Sequence, residues 1–216
     1  MSETMIEKSF EQKVSSERLA EICLKVTTVA MQAARVERSP RYEDGKRESD
    51  AEHSFHVALM APELAVALEL PLDPGLISLF ANAHDLIEIE TSDVATFLLD
   101  EEAIREKENG EKMALQRLLD KVPPFLRSII VRYESQIEPE AIFVRHSEKL
   151  APIAVDILGQ GERVMHEDYG IDRLEQIQVA HANVRHRLET KFGEEFGIIN
   201  DIYDRLAETF QEQYVW

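Results

Sequence analysis

The spacing of apolar residues is the feature that most limits what this chain can fold into. From residue 15 to 36, and along most of the later sequence, apolar residues recur three and four positions apart, as on the buried face of an α-helix. No segment of any length alternates apolar and polar residues in the way of a half-buried β-strand. We therefore predict an all-α fold, and a length of 216 residues suits one domain over 1–216 with a full core.

Proline, glycine and capping residues divide this periodic sequence into separate helices. The predicted helices cover, approximately, 15–36, 51–69, 76–90, 101–122 with an interruption at 109–110, 125–136, 139–158, 172–192 and 194–210. Residues 37–49 lose the apolar pattern and contain Pro40 and Gly45, so we predict a loop there. Cys23, the single cysteine, lies among apolar residues of the first helix and is predicted to be a small core residue.

Charge and hydropathy exclude several classes of partner. The net charge of −18 argues against a nucleic-acid polymer, because phosphate backbones are bound by Lys and Arg. No apolar run approaches the about 20 residues of a membrane helix, and the N-terminus lacks the apolar core of a secretory signal, so we expect a cytoplasmic protein. Residues 35–48 hold five bases against four acids, which favours either a small anionic ligand or a solvated loop.

A His-Asp pair interrupts the apolar sequence of the helix predicted at 76–90. His84 and Asp85 stand where packing residues are expected, and both side chains can bind a metal ion. Glu88 follows three and four positions later, so on a helix it shares a face with the pair. The segment therefore offers metal ligands with an acid/base beside them.

Two further segments complete a candidate ligand set. Glu52-His53 lies near the start of one predicted helix, and residues 145–150 contain Glu148 in a later one. Two imidazoles with carboxylates suit a divalent transition metal such as Mn, Co, Fe or Zn. Such an ion can bind a phosphate oxygen and lower the pKa of a water toward neutrality, which provides a nucleophile for attack at phosphorus.

The order His53, His84-Asp85, then an acid before Lys149-Leu150 resembles the H…HD…D pattern of the HD-domain phosphohydrolases. Within that superfamily the sequence is most similar to the bacterial 5'-deoxynucleotidases. The matching segments are Arg38-Ser39-Pro40 for Arg-x-Pro, residues 48–54 for Glu-x-x-x-Glu-His-Ser, and residues 84–88 continuing to Asp93. The resemblance implies a helical bundle with a core at about 38–160, on which the helices at 172–213 pack.

The resemblance also implies roles for individual residues. Glu148 stands where the family has Asp, and its extra methylene leaves open whether it reaches the metal; His146 and Asp156 are the alternative ligands. The implied metal ligands are His53, His84, Asp85 and Glu148, the implied acid/base is Glu88, Asp93 would place sugar or water, and Arg38 would bind the phosphate.

By resemblance, the expected activity is metal-dependent release of phosphate from a small nucleotide, in the first instance a (deoxy)nucleoside 5'-monophosphate. Two alternatives remain open: a deoxynucleoside triphosphate or guanosine alarmone hydrolase, and a degenerate module that binds nucleotide without turnover. The oligomeric state is also open; relatives of this kind are often dimers, and the apolar C-terminus, residues 214–216, is a candidate contact for a homodimer.

Overall fold

Helices make up most of the regular structure. A computed structural model describes residues 14–92, 97, 101–192 and 196–213. The helices are α1 Ser16–Ala33, α2 Asp50–Ala67, α3 Pro74–Ala83, α4 Glu88–Thr91, α5 Glu101–Lys121, α6 Pro124–Ser135, α7 Pro139–Ser147, α8 Leu150–Leu158, α9 Gly161–Arg163, α10 Leu174–Phe192 and α11 Gly197–Gln213. A π-helical turn, Val164–Asp168, follows α9. The prediction of an all-α fold is confirmed.

A small β-hairpin replaces the loop predicted at 37–49. Strand β1, Glu37–Arg41, pairs antiparallel with β2, Arg47–Ser49. The turn between them contains Gly45 at φ +85°, a left-handed conformation that glycine adopts without a steric penalty. These strands of five and three residues are too short to show a recognisable alternating pattern, which is why the loop prediction was wrong.

Two long predicted helices are each divided at the residues of the ligand set. The helix predicted at 76–90 ends at Ala83 and restarts at Glu88, so His84 and Asp85 lie in a turn. The helix predicted at 139–158 is likewise divided between α7 and α8. Conversely, α5 runs through the interruption predicted at 109–110. Apolar periodicity does not detect a short turn that keeps both flanking segments on the same buried face.

The core lies where α2 and α3 pack against each other, and α6, α7 and α8 close around them. Helix α11 packs on α8 and buries Phe210, whereas Cys23 on α1 is exposed, contrary to its predicted place in the core. The largest fully buried side chains include Phe80, Tyr133, Phe143, Phe210, Ile77 and Leu118. Within the described segments, no helix is both long and apolar enough to span a membrane.

The hairpin is fixed to the rest of the fold by a close backbone approach at Gly159. The Gln160 N–H donates to the Arg41 carbonyl at 3.0 Å. A Cβ atom added to Gly159 would lie 2.0 Å from that carbonyl oxygen and 2.9 Å from the Val155 carbonyl oxygen. Only a glycine therefore allows β1 to reach the end of α8.

A buried carboxyl lies beside the hairpin. Asp156 of α8 is 7% exposed. Burial, and then the like charges of Glu48 and Asp168, raise the pKa of Asp156 to about 8. The folded protein consequently holds a proton there at neutral pH that the unfolded chain has released.

We expect Gly159→Ala to destabilise the protein by about 1–3 kcal/mol or more, because the new methyl group must displace backbone carbonyls. Gly110→Ala is the matched control: it lies inside α5 with nothing within 4 Å of an added Cβ, and should stabilise by about 0.5–1 kcal/mol. Denaturant unfolding of both variants measures these free energies. Equal and small effects would contradict the close approach.

We expect Asp156→Asn to stabilise the protein increasingly as pH rises from about 4 to about 8, because the wild type must bury a charge or keep a proton there. The gain should level off above about pH 8, on the order of a few kcal/mol at about 1.4 kcal/mol per pKa unit. Thermal unfolding across this pH range, with exposed Asp201→Asn as the control, tests it. A pH-independent difference would contradict the prediction.

Candidate metal centre

The start of α2 places the first histidine. Ser49 caps the helix: its Oγ accepts from the Glu52 N–H at 3.3 Å, while the Glu52 carboxylate accepts from the Ser49 N–H at 2.9 Å. This reciprocal capping fixes the first turn of the helix. His53, in that turn, is fully buried and its ring lies 5.1 Å from the ring of His84.

The second histidine lies in the turn after α3. Its Nδ1 atom is 2.6 Å from the Ala81 carbonyl oxygen, which can only accept, so Nδ1 carries the proton. The Nε2 atom of His84 is therefore the nitrogen that faces the site, and it points toward the Asp85 and Glu148 carboxylates. The ring packs edge-on against buried Tyr133, with centroids 6.2 Å apart.

Glu148 brings a carboxylate to both imidazoles from the junction of α7 and α8. Its Oε2 atom lies 3.8 Å from the Nε2 atoms of both His53 and His84. Its other oxygen, Oε1, pairs with the Lys149 ammonium at 2.7 Å. Burial raises the pKa of Glu148, but Lys149 and the imidazoles outweigh burial and lower it below the usual range. The Glu148 side chain thus brings one carboxylate oxygen to both rings.

Asp85 closes the other side of this group. Its Oδ2 atom is 3.2 Å from His84 Nε2 and 3.6 Å from His53 Nε2. Burial raises the pKa of Asp85, but His84 and Arg38 outweigh burial and hold that pKa well below the usual range. The carboxylate is therefore ionised and available as a ligand.

Arg38 of β1 occupies a second group of carboxylates that shares Asp85 with the first. Its Nη1 atom lies 2.7 Å from Asp85 Oδ2, 3.1 Å from Asp50 Oδ1 and 3.6 Å from Glu88 Oε2. The carboxylates of Asp50, Asp85 and Glu88 lie within 4.8 Å of one another. The guanidinium, whose side chain is 11% exposed, offsets part of the repulsion among these three carboxylates.

The chemistry of the first group fits a divalent metal ion. The donor atoms of His53, His84 and Glu148 lie within 4.8 Å of one another. Neither Nε2 atom has a hydrogen-bond partner within the described part of the chain, although both are buried. Buried polar atoms normally have a partner, and a pair of imidazole nitrogens facing carboxylates supplies the mixed N/O donors that Mn, Co, Fe or Zn bind.

The structure places the predicted residues as follows. His53, His84, Asp85 and Glu148 come together, with Arg38 and Glu88 in the adjoining carboxylate group, and Asp93 lies outside the described residues. The two alternative ligands lie elsewhere. His146 pairs with Asn200 through Nε2 at 2.8 Å, and Asp156 lies beside Glu48 and Asp168. Neither alternative is among the side chains that the structure groups around His53 and His84.

Three charged neighbours of the site had no predicted role. Asp50 contacts Arg38, Glu48 contacts both Arg38 and His53, and Lys149 pairs with Glu148. The only available signal was their place in the matching segments, since Glu48 opens Glu-x-x-x-Glu-His-Ser and Lys149 follows the fourth ligand position. Side-chain direction at a strand end or a helix start is not visible in sequence.

Three other basic residues of the 35–48 segment are paired with carboxylates and do not form a binding site for an anion. Arg41 and Arg47 both pair with Asp168, at 3.2 and 2.5 Å, and Lys46 pairs with Glu52. These pairs join the hairpin to the π-helical turn and to α2. Arg38, in contrast to these three residues, is directed at the candidate metal centre.

Comparison with known proteins identifies the family of this site and fold. The family model described as HD domain matches residues 32–196, a range that includes every residue of the candidate centre. In sequence, the chain is 29% identical over 124 residues to a 5'-deoxynucleotidase of Enterobacter sp. (strain 638). That match covers 53% of this chain and 62% of the relative, so this chain spans less than two thirds of the relative's length.

Two solved structures share the fold. A predicted metal-dependent phosphohydrolase from Magnetospirillum magnetotacticum MS-1 superposes with a TM-score of 0.65 at 21% identity, over 92% of this chain and 97% of that one. The PH0347 protein from Pyrococcus horikoshii OT3 gives a TM-score of 0.54 at 24% identity, over 85% and 99%. The match to the family model over 32–196, together with this shared fold, shows that the chain belongs to the HD domain family.

Proposed function

We propose that this chain is a metal-dependent phosphohydrolase that releases orthophosphate from a small nucleotide, most simply a (deoxy)nucleoside 5'-monophosphate. The observation that carries the proposal is the pair of buried Nε2 atoms of His53 and His84, which face Asp85 and Glu148 and have no hydrogen-bond partner among the described residues. These four side chains would hold one divalent ion. When bound, such an ion supplies Lewis-acid activation of water and of a phosphoryl oxygen.

Arg38 is suited to orient the phosphate. A guanidinium presents several N–H donors in a planar fork that matches phosphate oxygens, and it stays charged at any physiological pH. Its contacts with Asp50 and Asp85 hold it beside the candidate metal ligands. Arg38 would offset part of the negative charge of a phosphate bound beside the candidate metal ligands.

Glu88 is suited to proton transfer. It is 4% exposed, starts α4 directly after the His-Asp turn, and its Oε2 atom lies 3.6 Å from Arg38 Nη1. In this position the Glu88 carboxylate can accept a proton from an attacking water and return it to the leaving ribose oxygen. Asp93, the other predicted catalytic residue, belongs to the same proposal through the resemblance alone.

The choice of a nucleotide rests on two observations. The sequence relative is a 5'-deoxynucleotidase, and the net charge of −18 does not favour a polymer. The same site also suits a hydrolase of deoxynucleoside triphosphates or guanosine alarmones. Product analysis separates these substrates, because the alternatives release triphosphate or pyrophosphate instead of orthophosphate.

We further propose that the chain forms one domain. Helix α11 supports this, because it packs on α8 next to the hairpin and site and buries Tyr203 and Phe210 in the common core.

We expect the purified protein, stripped of metal and reloaded with Mn²⁺, Co²⁺ or Zn²⁺, to release orthophosphate from nucleoside 5'-monophosphates, and chelation to abolish this activity. His53→Ala should lower kcat by more than about 10²-fold, because even residues behind the ligands contribute 10–100-fold in such sites. His166→Ala is the control, since His166 pairs with Asp172 away from the site. No metal-dependent release from mono-, di- or triphosphates would refute the proposal.

We expect Glu148→Asp to lower metal content, and kcat by about 10²-fold, because a shorter side chain moves the carboxylate by about 1 Å from its place between the imidazoles. Glu148→Gln keeps the length and should lose metal through the missing charge. Metal analysis and phosphate release are measured on the same preparations. A gain of metal and activity in Glu148→Asp would instead identify the natural site as degenerate.

A further inference from the structure

Glu48 is a buried carboxylate that the proposed reaction does not use. It lies in β2, between Arg38 on β1 and His53 on α2, and is completely inaccessible to solvent. Its Oε2 atom lies 3.6 Å from Arg38 Nε and 3.5 Å from His53 Nδ1. Burying a carboxylate away from water is costly unless charged or hydrogen-bonding groups compensate, so the two groups it faces indicate its role.

The orientation of the His53 ring depends on what its two nitrogens face. Nε2 faces Asp85 and Glu148, at 3.6 and 3.8 Å, while Nδ1 faces Glu48. An imidazole that binds a metal through one nitrogen carries its proton on the other, and a carboxylate at that other nitrogen fixes both the tautomer and the ring.

The other histidine also has an oxygen behind its Nδ1 atom, here at hydrogen-bond distance. His84 Nδ1 lies 2.6 Å from the Ala81 carbonyl oxygen, which keeps Nε2 toward the cluster. At His53 the side chain of Glu48 stands in the place that a backbone carbonyl takes at His84. Each imidazole therefore has an oxygen next to its Nδ1 atom: a backbone carbonyl of α3 at His84, and the Glu48 carboxylate at His53.

Neither the start of α2 nor the attachment of the hairpin to α8 depends on the Glu48 carboxylate. The start of α2 is capped by the next residue, Ser49, together with Glu52. The hairpin is fixed to α8 through Arg41 and Gln160. The side chain of Glu48 thus has no capping role, and the ion pairs described for it join its Oε2 atom to two site residues, Arg38 and His53.

We propose that Glu48 is a positioning residue: its negative charge attracts the Nδ1 side of the His53 imidazole and, through the same oxygen, Arg38 Nε, so that the metal-ligand nitrogen and the phosphate-binding guanidinium keep a fixed relation. This inference rests on the proposed function, because it assigns Glu48 to the same metal centre. It predicts that replacing Glu48 lowers metal affinity even in a variant that is as stable as the wild type. A residue needed only for packing would not have this effect.

Titration of the metal-free full chain with Co²⁺, followed by visible absorption, tests the inference without relying on turnover. Glu48→Ala should raise the dissociation constant about 10–100-fold and alter the absorption bands, as expected for loss of a group that orients a ligand. Glu48→Gln should have a smaller effect that still exceeds twofold, because its amide oxygen can face Nδ1–H but carries no negative charge. Glu52→Gln is the matched control, since Glu52 lies beside His53 in sequence but faces Ser49 and Lys46.

Thermal unfolding of the metal-free variants separates positioning from folding, and if Glu48→Ala does not fold, Glu48→Gln decides. Co²⁺ binding by the Glu48 variants within twofold of wild type, or an equal loss in Glu52→Gln, would overturn the inference. A wild type that binds Co²⁺ but hydrolyses no nucleotide would refute the proposed function alone, and the Glu48 comparison would still count. A wild type that binds no Co²⁺ would overturn both.

Discussion

The site and its surrounding elements depend on the ion pairs of the Arg38 guanidinium. Four carboxyl groups from three places in the chain converge on it: Glu48 from β2, Asp50 from α2, and Asp85 and Glu88 from the turn and helix after α3. Buried like charges repel strongly at low dielectric, and each would otherwise take up a proton or force the segments apart. Arginine cannot lose its charge, so the compensation persists at every physiological pH.

This compensation explains why a hairpin of eight strand residues is present in a helical fold. The hairpin carries Arg38 and Glu48 on adjacent strands and delivers both to the start of α2. Gly159 and the Arg41–Asp168 pair hold its other face against α8 and the π-helical turn. The hairpin thus keeps a positive charge next to the candidate metal ligands in a strongly acidic chain.

Sequence was sufficient for the fold class and for the set of residues that converge, and insufficient for the local structure that makes them converge. His84-Asp85 was recognisable because it interrupts an apolar helix pattern, but the same pattern concealed that the helix ends there. Because α3 ends at Ala83, the Ala81 carbonyl is available to the His84 ring. In a continuous helix that carbonyl would accept a backbone hydrogen bond. Glu48 and Asp50 contact Arg38, which lies ten or more residues away in sequence, on β1. Helical or strand periodicity does not predict which side chains from different elements point toward each other.

The two groups of charged residues differ in what stabilises them. The outer carboxylates have a permanent partner in Arg38, and Glu148 Oε1 has one in Lys149, so these side chains are in place before any metal arrives. The inner nitrogens, His53 Nε2 and His84 Nε2, have no such partner among the described residues. Leaving buried polar atoms unsatisfied costs stability, and a metal ion that bound them would stabilise the folded state. Arg38 and Lys149 therefore hold the candidate ligands in place, while the two imidazoles keep nitrogens that a metal ion could bind and that full internal pairing would occupy.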